Sequence, residues 1–589
     1  MNETSGLGAR PAQEALPVQF YIPATASLLE RRTRVLKHGD TFGVFDRYGD
    51  LVAGEGSQEG LHHNDTRYLS SLTLLVNGER PLFLSSKVED NNSALSVDLT
   101  NPDLVEDDLL VLQRDMVHIV RSKFLWQGAC YERLGLRNYD AKNPRIDVEI
   151  LFGADFADIF EVRGNSRPRR GHTEIEVESD VATIAYHGLD GILRRTTLVF
   201  DPAPVRLSRH SALYQLNLLD KGRASLFFSA RCAEGNEAVS GAPRSFFSNL
   251  KQARRELRRA TAGASTIETS NQVFNEVLCQ SMADLYMLLT ATDYGPFPYA
   301  GVPWFSTIFG RDAIITAMEM LWIDASVAEG VLKYLAATQA REFKPEADAE
   351  PGKIVHEIRR GEMARLGEVP FARYYGSVDG TMLFVVLAGL YFDRTGDLKT
   401  ISDLWPRIEA ALHWIDKYGD RDGDGFVEYF RADESGLVNQ GWKDSSDSIF
   451  HADGSLAHGP IALCEIQGYV YAAKRHAAKI AAAIGFSAHA ARLLREAEDL
   501  KARFDEAFWC EAIGTYAIAL DGNKKRCEIR SSNAGHLLFA GIAPETRAKR
   551  VGEQLLSKSF FFWLGHQNNS FWRAALQSDV LPQRLHLAA

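Results

Sequence analysis

The chain has 589 residues, 45% of them hydrophobic and 24% charged, and its 77 acidic against 66 basic side chains give a net charge of -11. That composition excludes a small module, a fibrous repeat and wholesale disorder, and at roughly 100 to 200 residues per domain it leaves room for two to four domains. The acidic balance has the wrong sign for a surface that tracks phosphates, so nucleic acid is not expected as the main partner.

In chain order, the first twenty residues, MNETSGLGARPAQEALPVQF, lack a basic segment followed by an apolar run and read as a disordered tail over 1–20. From 21 to 248 short runs rich in Val, Ile, Leu, Phe and Thr alternate with turn signals such as Asn77-Gly78, Asn101-Pro102 and Asp190-Gly191. Such spacing predicts an antiparallel β-sandwich, with Arg194 to Phe200 and Ala224 to Ala230 as typical strands. Residues 249–268 contain the basic run KQARRELRR (Lys251 to Arg259) and read as a helical linker, with a phosphate-binding patch as the alternative.

From 269 onward the apolar period becomes 3.6. It predicts about nine helices, at 270–291, 311–325, 327–342, 378–395, 399–418, 459–484, 487–510, 532–541 and 544–557. No βαβ alternation occurs among them, which argues against a doubly wound sheet or a β/α barrel. The long connections 292–310, 343–377 and 419–458 are rich in Gly, Asp, Trp and Tyr, and loops of that length in a compact domain are usually functional. Helical hairpins with their long loops on one side suggest a toroid with an active site at one mouth, an α+β multidomain architecture overall. No uncharged apolar run reaches the length of about 18 residues needed to span a bilayer, and the six cysteines show no metal-ligand spacing. A cytoplasmic protein with no membrane partner and no cofactor is therefore expected.

The first long loop runs through Trp304 to Gly310-Arg311-Asp312 at a helix start. An indole face beside an Arg-Asp pair suits a sugar, whose ring stacks on the aromatic while its hydroxyls need fixed charged partners; helix-dipole stabilisation by Asp312 and core filling by Trp304 are the plainer alternatives. The second loop holds His356-Glu357-Ile-Arg359 and Gly376-Ser377-Val-Asp379-Gly-Thr381. Ser377 reads as an N-cap and Asp379 as a first-turn acid, while Arg360, four residues after His356, breaks the H-E-x-x-H zinc pattern. In the third loop Asp420, Asp422, Asp424 and Gly425 match the opening of a calcium loop, but Arg431 stands where its bidentate Glu belongs. A tight turn is preferred there, with calcium as a weak candidate. Next comes Gly441-Trp442-Lys443-Asp444-Ser445, in which a carboxylate beside an indole and an ammonium has the ingredients of a general acid in a sugar site.

Together, His63-Asn-Asp65-Thr-Arg67-Tyr-Leu-Ser70, Pro303-Trp-Phe-Ser306, Phe309-Gly-Arg-Asp312, His356-Glu357-Ile-Arg359, Gly376-Ser-Val-Asp379-Gly-Thr381 and Gly441-Trp-Lys-Asp-Ser445 resemble bacterial glycogen debranching or amylo-α-1,6-glucosidase-like proteins. These are six-hairpin (α/α)6 glycoside hydrolases preceded by a β-sandwich domain. The resemblance implies an inverting, exo-acting hydrolase of α-glucosidic bonds whose partner is an oligosaccharide or α-glucan. It implies Asp444 as the general acid and Trp304, Arg311, Asp312, Glu357, Asp379, Trp442 and Lys443 as substrate-binding residues. Hydrolases of small glycosides such as glucosylglycerate or mannosylglycerate, and a catalytically dead sugar-binding protein, share the pattern and stay open.

The resembling proteins supply the base from near the C-terminal end of a twelve-helix ring. Residues 269–558 provide only about nine helices, and 559–589 have neither caps nor a 3.6 period. Read one base later with allowed codons, Phe561 to Asn568 gives Ser-Ser-Gly-Trp-Gly-Ile-Arg-Thr, a run those proteins carry here. The expectation is an out-of-frame tail from about Phe560, a missing base, and little or no hydrolysis by this chain.

Overall fold

A computed structural model describes residues 33–557 and 560, apart from 55, 107–108, 142 and 236–244. The expected tails, 1–20 and 559–589 except Phe560, lie outside the described residues.

The N-terminal half is an antiparallel sandwich. An eight-stranded sheet runs His172–Val177, Val181–His187, Leu193–Asp201, Arg223–Glu234, Ala129–Asn138, Val117–Trp126, Leu95–Thr100 and Leu82–Val88 in spatial order. Facing it is a five-stranded sheet built around Arg145–Gly153, Ser71–Val76 and Ser211–Asn217. Alternate residues point inward, as the period of two requires, so that Leu72, Leu74, Val76, Ile146, Val148 and Ile150 meet Val97, Leu99, Ile119, Leu134 and Leu226 in one core. A four-stranded sheet, Arg34–His38, Thr41–Phe45, Gly60–His63 and Thr66–Leu69, lies on the side toward the helices. Both named candidate strands are present, as Leu193–Asp201 and Arg223–Glu234.

The segment expected as a helical linker forms a helix, α1 (Phe246–Ala260), that docks on the sandwich and whose N-cap Ser245 accepts from the Ser248 amide. Phe246 packs edge-on against Phe124 at 5.1 Å, and Trp126 donates to Glu256 at 2.8 Å. Of its basic residues, Arg254 pairs with Glu89 at 2.7 Å.

The helical half has nine helices of eight residues or more among the described residues, matching the periodicity in number and order. They are α2 (Gln272–Leu288), α3 (Gly310–Met320), α4 (Ala325–Thr338), α5 (Asp379–Thr395), α6 (Leu398–Trp414), α7 (Cys464–Ala483), α8 (Ser487–Phe508), α9 (Asn533–Ala540) and α10 (Glu545–Leu555). Helix α5 is buried on every side from Asp379 to Gly389 and packs against α3, α4, α6 and α7, which accounts for its unbroken apolar sequence. Helix α2 is the opposite case, with Tyr286 its one buried residue. No described helix is long and apolar enough to cross a membrane.

The halves meet through polar groups and a small shared core. Val44, Ile159 and Phe160 pack on Met363, Phe371 and Tyr374. Around that core Asp65 accepts from the Arg359 guanidinium at 2.9 Å and the Arg360 amide at 2.8 Å, and Asp158 accepts from the Met363 amide at 3.0 Å. Glu362 accepts from Arg167 at 2.7 Å and from the Tyr186 hydroxyl at 2.9 Å.

Candidate active site

The site grows from a two-residue ladder. Ile308 and Phe309 pair with Ile358 and Glu357, which ties the first long loop to the second just before α3 begins. Gly310 follows, donating its amide to the His356 carbonyl at 2.9 Å. A Cβ there would stand 2.0 Å from the Val355 carbonyl oxygen, so only glycine lets the helix start this close to the second loop. The next residue is Arg311.

Arg311 joins all three loops. Its Nη1 donates to Asp379 Oδ2 at 3.1 Å and to the Gly441 carbonyl at 3.0 Å, and its Nη2 reaches Asp444 Oδ2 at 3.3 Å. Burial opposes its charge, but Asp379, Asp312 and Asp444 outweigh that and hold the guanidinium firmly protonated. The expected N-cap at Ser377 is corrected: α5 starts at Asp379 with Val378 in the cap position, and the Ser377 hydroxyl donates to the Asp379 carboxylate instead. A buried carboxylate on a helix's first turn needs donors more than the backbone needs that cap, and Ser377 with Arg311 supplies them.

The third loop is fastened beside Asp379 by the Val378 amide, which donates to the Gln440 carbonyl at 2.8 Å. Asn439 donates to the Ser445 carbonyl at 2.7 Å and Ser448 to the Lys443 carbonyl at 2.7 Å, closing the turn that presents Asp444. The Asp444 side chain keeps 46% of its surface open to solvent. Its carboxyl is nevertheless held above the usual range: surrounding protein desolvates it, Arg311 pulls the other way, and the Asp379 charge adds to the rise. The Lys443 ammonium lies 5.0 Å from the centre of the Trp442 ring, and partial burial lowers its pKa against the attraction of Glu465.

Glu465 escaped the sequence reading. It sits in the first turn of α7, fully buried, accepting from Asn533 at 2.9 Å and from the Cys464 thiol at 3.5 Å. Burial pushes its carboxyl up to about 7. On the helix pattern it passes for a first-turn acid complementing the dipole; its neighbours Gly441, Lys443 and Asn533 lie far away in sequence. His536 of α9 escaped too. Its ring lies 5.2 Å from Trp442, and its Nδ1 shares a hydrogen bond of 2.6 Å with the Tyr469 hydroxyl.

The other expected residues divide. Asp312 lies beside Arg311 in the first turn of α3, and its carboxylate has no hydrogen-bond partner among the described residues. The Trp442 indole N–H is likewise buried without one. Trp304 packs at the interface between the halves, with Arg163 5.8 Å from its ring and its carbonyl accepting from Arg359 at 2.8 Å. Glu357 is bound to Arg359, which in turn holds Asp65. The acidic turn carries its own cation: Lys524 Nζ stands 2.7 Å from both Asp422 and Asp424 and also bonds Glu428. Asp420 accepts from the amides of Gly423 and Gly425 at 2.8 and 2.9 Å, so the segment forms the tight turn that its Asp/Gly spacing favoured.

Residues 36–229 match the family described as the N-terminal domain of (some) glycogen debranching enzymes, and residues 308–567 match the mannosylglycerate hydrolase MGH1-like glycoside hydrolase domain. No curated protein matches the chain in sequence. Among solved structures, a human-microbiome protein described as a kojibiose phosphorylase is similar with a TM-score of 0.50 and 10% identity, over 82% of this chain and 69% of that one. A bacterial glucoamylase solved with acarbose gives a TM-score of 0.48 and 11% identity, over 83% of this chain and 73% of its own. At such identity the first likeness speaks for the fold alone. By its domain matches the chain joins a region similar to the N-terminal domain of glycogen debranching enzymes to a region similar to the MGH1-like glycoside hydrolase domain.

Proposed function

We propose that the chain carries the site of an inverting, exo-acting glycoside hydrolase in which Asp444 protonates the departing glycosidic oxygen. One observation carries the reading: Arg311 is clamped between Asp379 and Asp444 where three long loops converge. An acid for this step must be reachable and must hold its proton better than an ordinary aspartate, and an open carboxyl that desolvation raises above the usual range against the pull of Arg311 suits that role. The Asp312 carboxylate, which has no hydrogen-bond partner among the described residues, is suited to sugar hydroxyls.

An inverting reaction needs a second carboxylate, about 6.5 to 9.5 Å from the acid, to activate water on the opposite face of the sugar. That base is assigned to none of the described residues. Low turnover by this chain therefore belongs to the proposal, as does its cytoplasmic location.

The first substrate class is an α-glucosidic bond at a non-reducing end, as in α-1,6-linked branches. A second class, small glycosides of the mannosylglycerate type, is favoured by the MGH1-like match, which covers Arg311, Asp379 and Asp444 together. Hexose release from maltose, isomaltose, limit dextrin, glucosylglycerate and mannosylglycerate, with calorimetric binding of each, separates these readings. Binding without release supports a sugar site lacking its base. Neither binding nor release by any member would overturn the proposal.

A further inference from the structure

We propose that His172, Glu174 and His187 form a surface site for a divalent transition metal of the zinc class, which ties the edge strand of the large sheet to its neighbour. The three residues belong to the hairpin of strands His172–Val177 and Val181–His187. In its register His172 stands directly opposite His187, and Glu174, two residues beyond His172, projects from the same face. The two imidazoles are stacked, with centroids 4.5 Å apart and planes within 3°. Glu174 faces both: Oε1 is 3.5 Å from His172 Nε2 and Oε2 is 3.8 Å from His187 Nε2. One donor atom from each of the three lies within 4.8 Å of the others.

Ligands at 2.0 to 2.1 Å from a tetrahedral zinc stand about 3.3 Å from one another, so the three donors, now within 4.8 Å of one another with the two rings parallel, converge on one ion through rotation of the imidazoles and the carboxylate. Two imidazoles and one carboxylate form a borderline-soft set that suits zinc and its neighbours and is poor for calcium or magnesium, and water completes the coordination. The side chains are not committed elsewhere, since none has another hydrogen-bond partner among the described residues. Strand pairing has already brought the three side chains together on one face, so binding requires side-chain rotation and no change of backbone.

The position gives the ion a mechanical role. His172–Val177 is the outermost strand, exposed along nearly its whole length. Just before it, the Gly171 amide donates to the Tyr186 hydroxyl at 2.9 Å, and that hydroxyl donates to Glu362 of the helical half, also at 2.9 Å. Linking His172 to His187 clamps the open end of the hairpin one residue from this contact. An edge strand otherwise held on one side becomes cross-linked to its neighbour.

The test titrates ZnCl2 into the untagged, chelator-stripped full chain at pH 7.5 by calorimetry, and compares His172→Ala, His187→Ala, the double variant and Glu174→Gln. All three side chains are exposed, so folded variants are expected, with unchanged circular dichroism as the check. The expected result is one saturable site, weakened at least tenfold by either histidine substitution, removed by both and weakened several-fold by Glu174→Gln. Zinc should slow amide exchange across 172–177 in the parent but not in the double variant. Absence of saturable zinc binding, or equal binding by the double variant, would overturn the proposal.

Discussion

Asp65 binds Arg359 across the boundary between the two halves of the molecule, its Oδ1 accepting from the guanidinium at 2.9 Å while its Oδ2 takes the neighbouring Arg360 amide at 2.8 Å. Both side chains are at most 5% exposed. Removing Asp65 leaves the buried Arg359 with Glu357 as its remaining counter-charge and the Arg360 amide without an acceptor, a loss that costs on the order of 1 to 3 kcal/mol. Asp65→Ala should lower the thermal midpoint by several degrees and separate the unfolding of the two halves, read by calorimetry as a broadened or split transition. A single transition at the parental temperature would show that the pair is dispensable.

Asp444 and Arg311 should behave differently. Asp444→Asn keeps shape and hydrogen bonding but cannot supply the proton, so any hydrolysis the chain performs should fall by about 10² to 10⁴ while sugar binding stays within a few-fold. Arg311→Ala uncouples the three loops and leaves Asp379 buried beside Ser377 alone, so binding itself should fail. Calorimetry with the best-bound sugar distinguishes the two.

Glu465 predicts a pH dependence with a defined sign. Its folded carboxyl titrates at about 7, against 4.5 for an ordinary glutamate. Below about 4.5 both states are protonated and the group adds no penalty. As pH rises through 7 the folded state must ionise a buried acid that the unfolded chain ionises freely, so stability drops, by a few kcal/mol when the penalty is complete. Glu465→Gln, which can keep a bond to Asn533, should be nearly neutral at pH 5 and stabilising at pH 8. Denaturant midpoints of the two proteins that run parallel across this range would rule the effect out.

Lys524 sits where the acidic turn would place a cation, bonded to Asp422, Asp424 and Glu428. Lys524→Met should destabilise the protein by about 2 to 4 kcal/mol, because the buried Glu428 loses its counter-charge. Millimolar calcium should restore part of that in the variant and leave the parent unchanged, as followed by thermal midpoint. A variant as stable as the parent without added calcium would contradict the assignment.

Most helices were legible in the sequence because their apolar residues recur at helical spacing or run unbroken: α5 and α7 fall within five residues of their expected bounds. Arg311, Asp379 and Asp444 were legible as charged groups in aromatic, glycine-rich loops, and the structure brings these three together. Glu465 was hidden because a first-turn glutamate looks the same whether it faces solvent or Lys443; the fold decides that. Lys524 was hidden for a related reason, being about a hundred residues from the carboxylates it neutralises. The hairpin histidines were invisible because cross-strand register, rather than sequence spacing, puts His172 opposite His187. The helix at Lys251 to Arg259 was legible, but its docking was not, because Phe246, which holds α1 on the sandwich, lies outside the basic run.

The two-residue ladder at Ile308 and Phe309 bears on how such a protein can be taken apart. One strand of it leads within two residues to Arg311, and the other leads as quickly to Arg359, one of whose two carboxylate partners is on the sandwich. A helical half expressed by itself would carry an arginine stripped of Asp65 two positions from the backbone that seats Arg311. The sandwich therefore acts as a foundation of the site, and exchanging it for a foreign domain would require a replacement for Asp65.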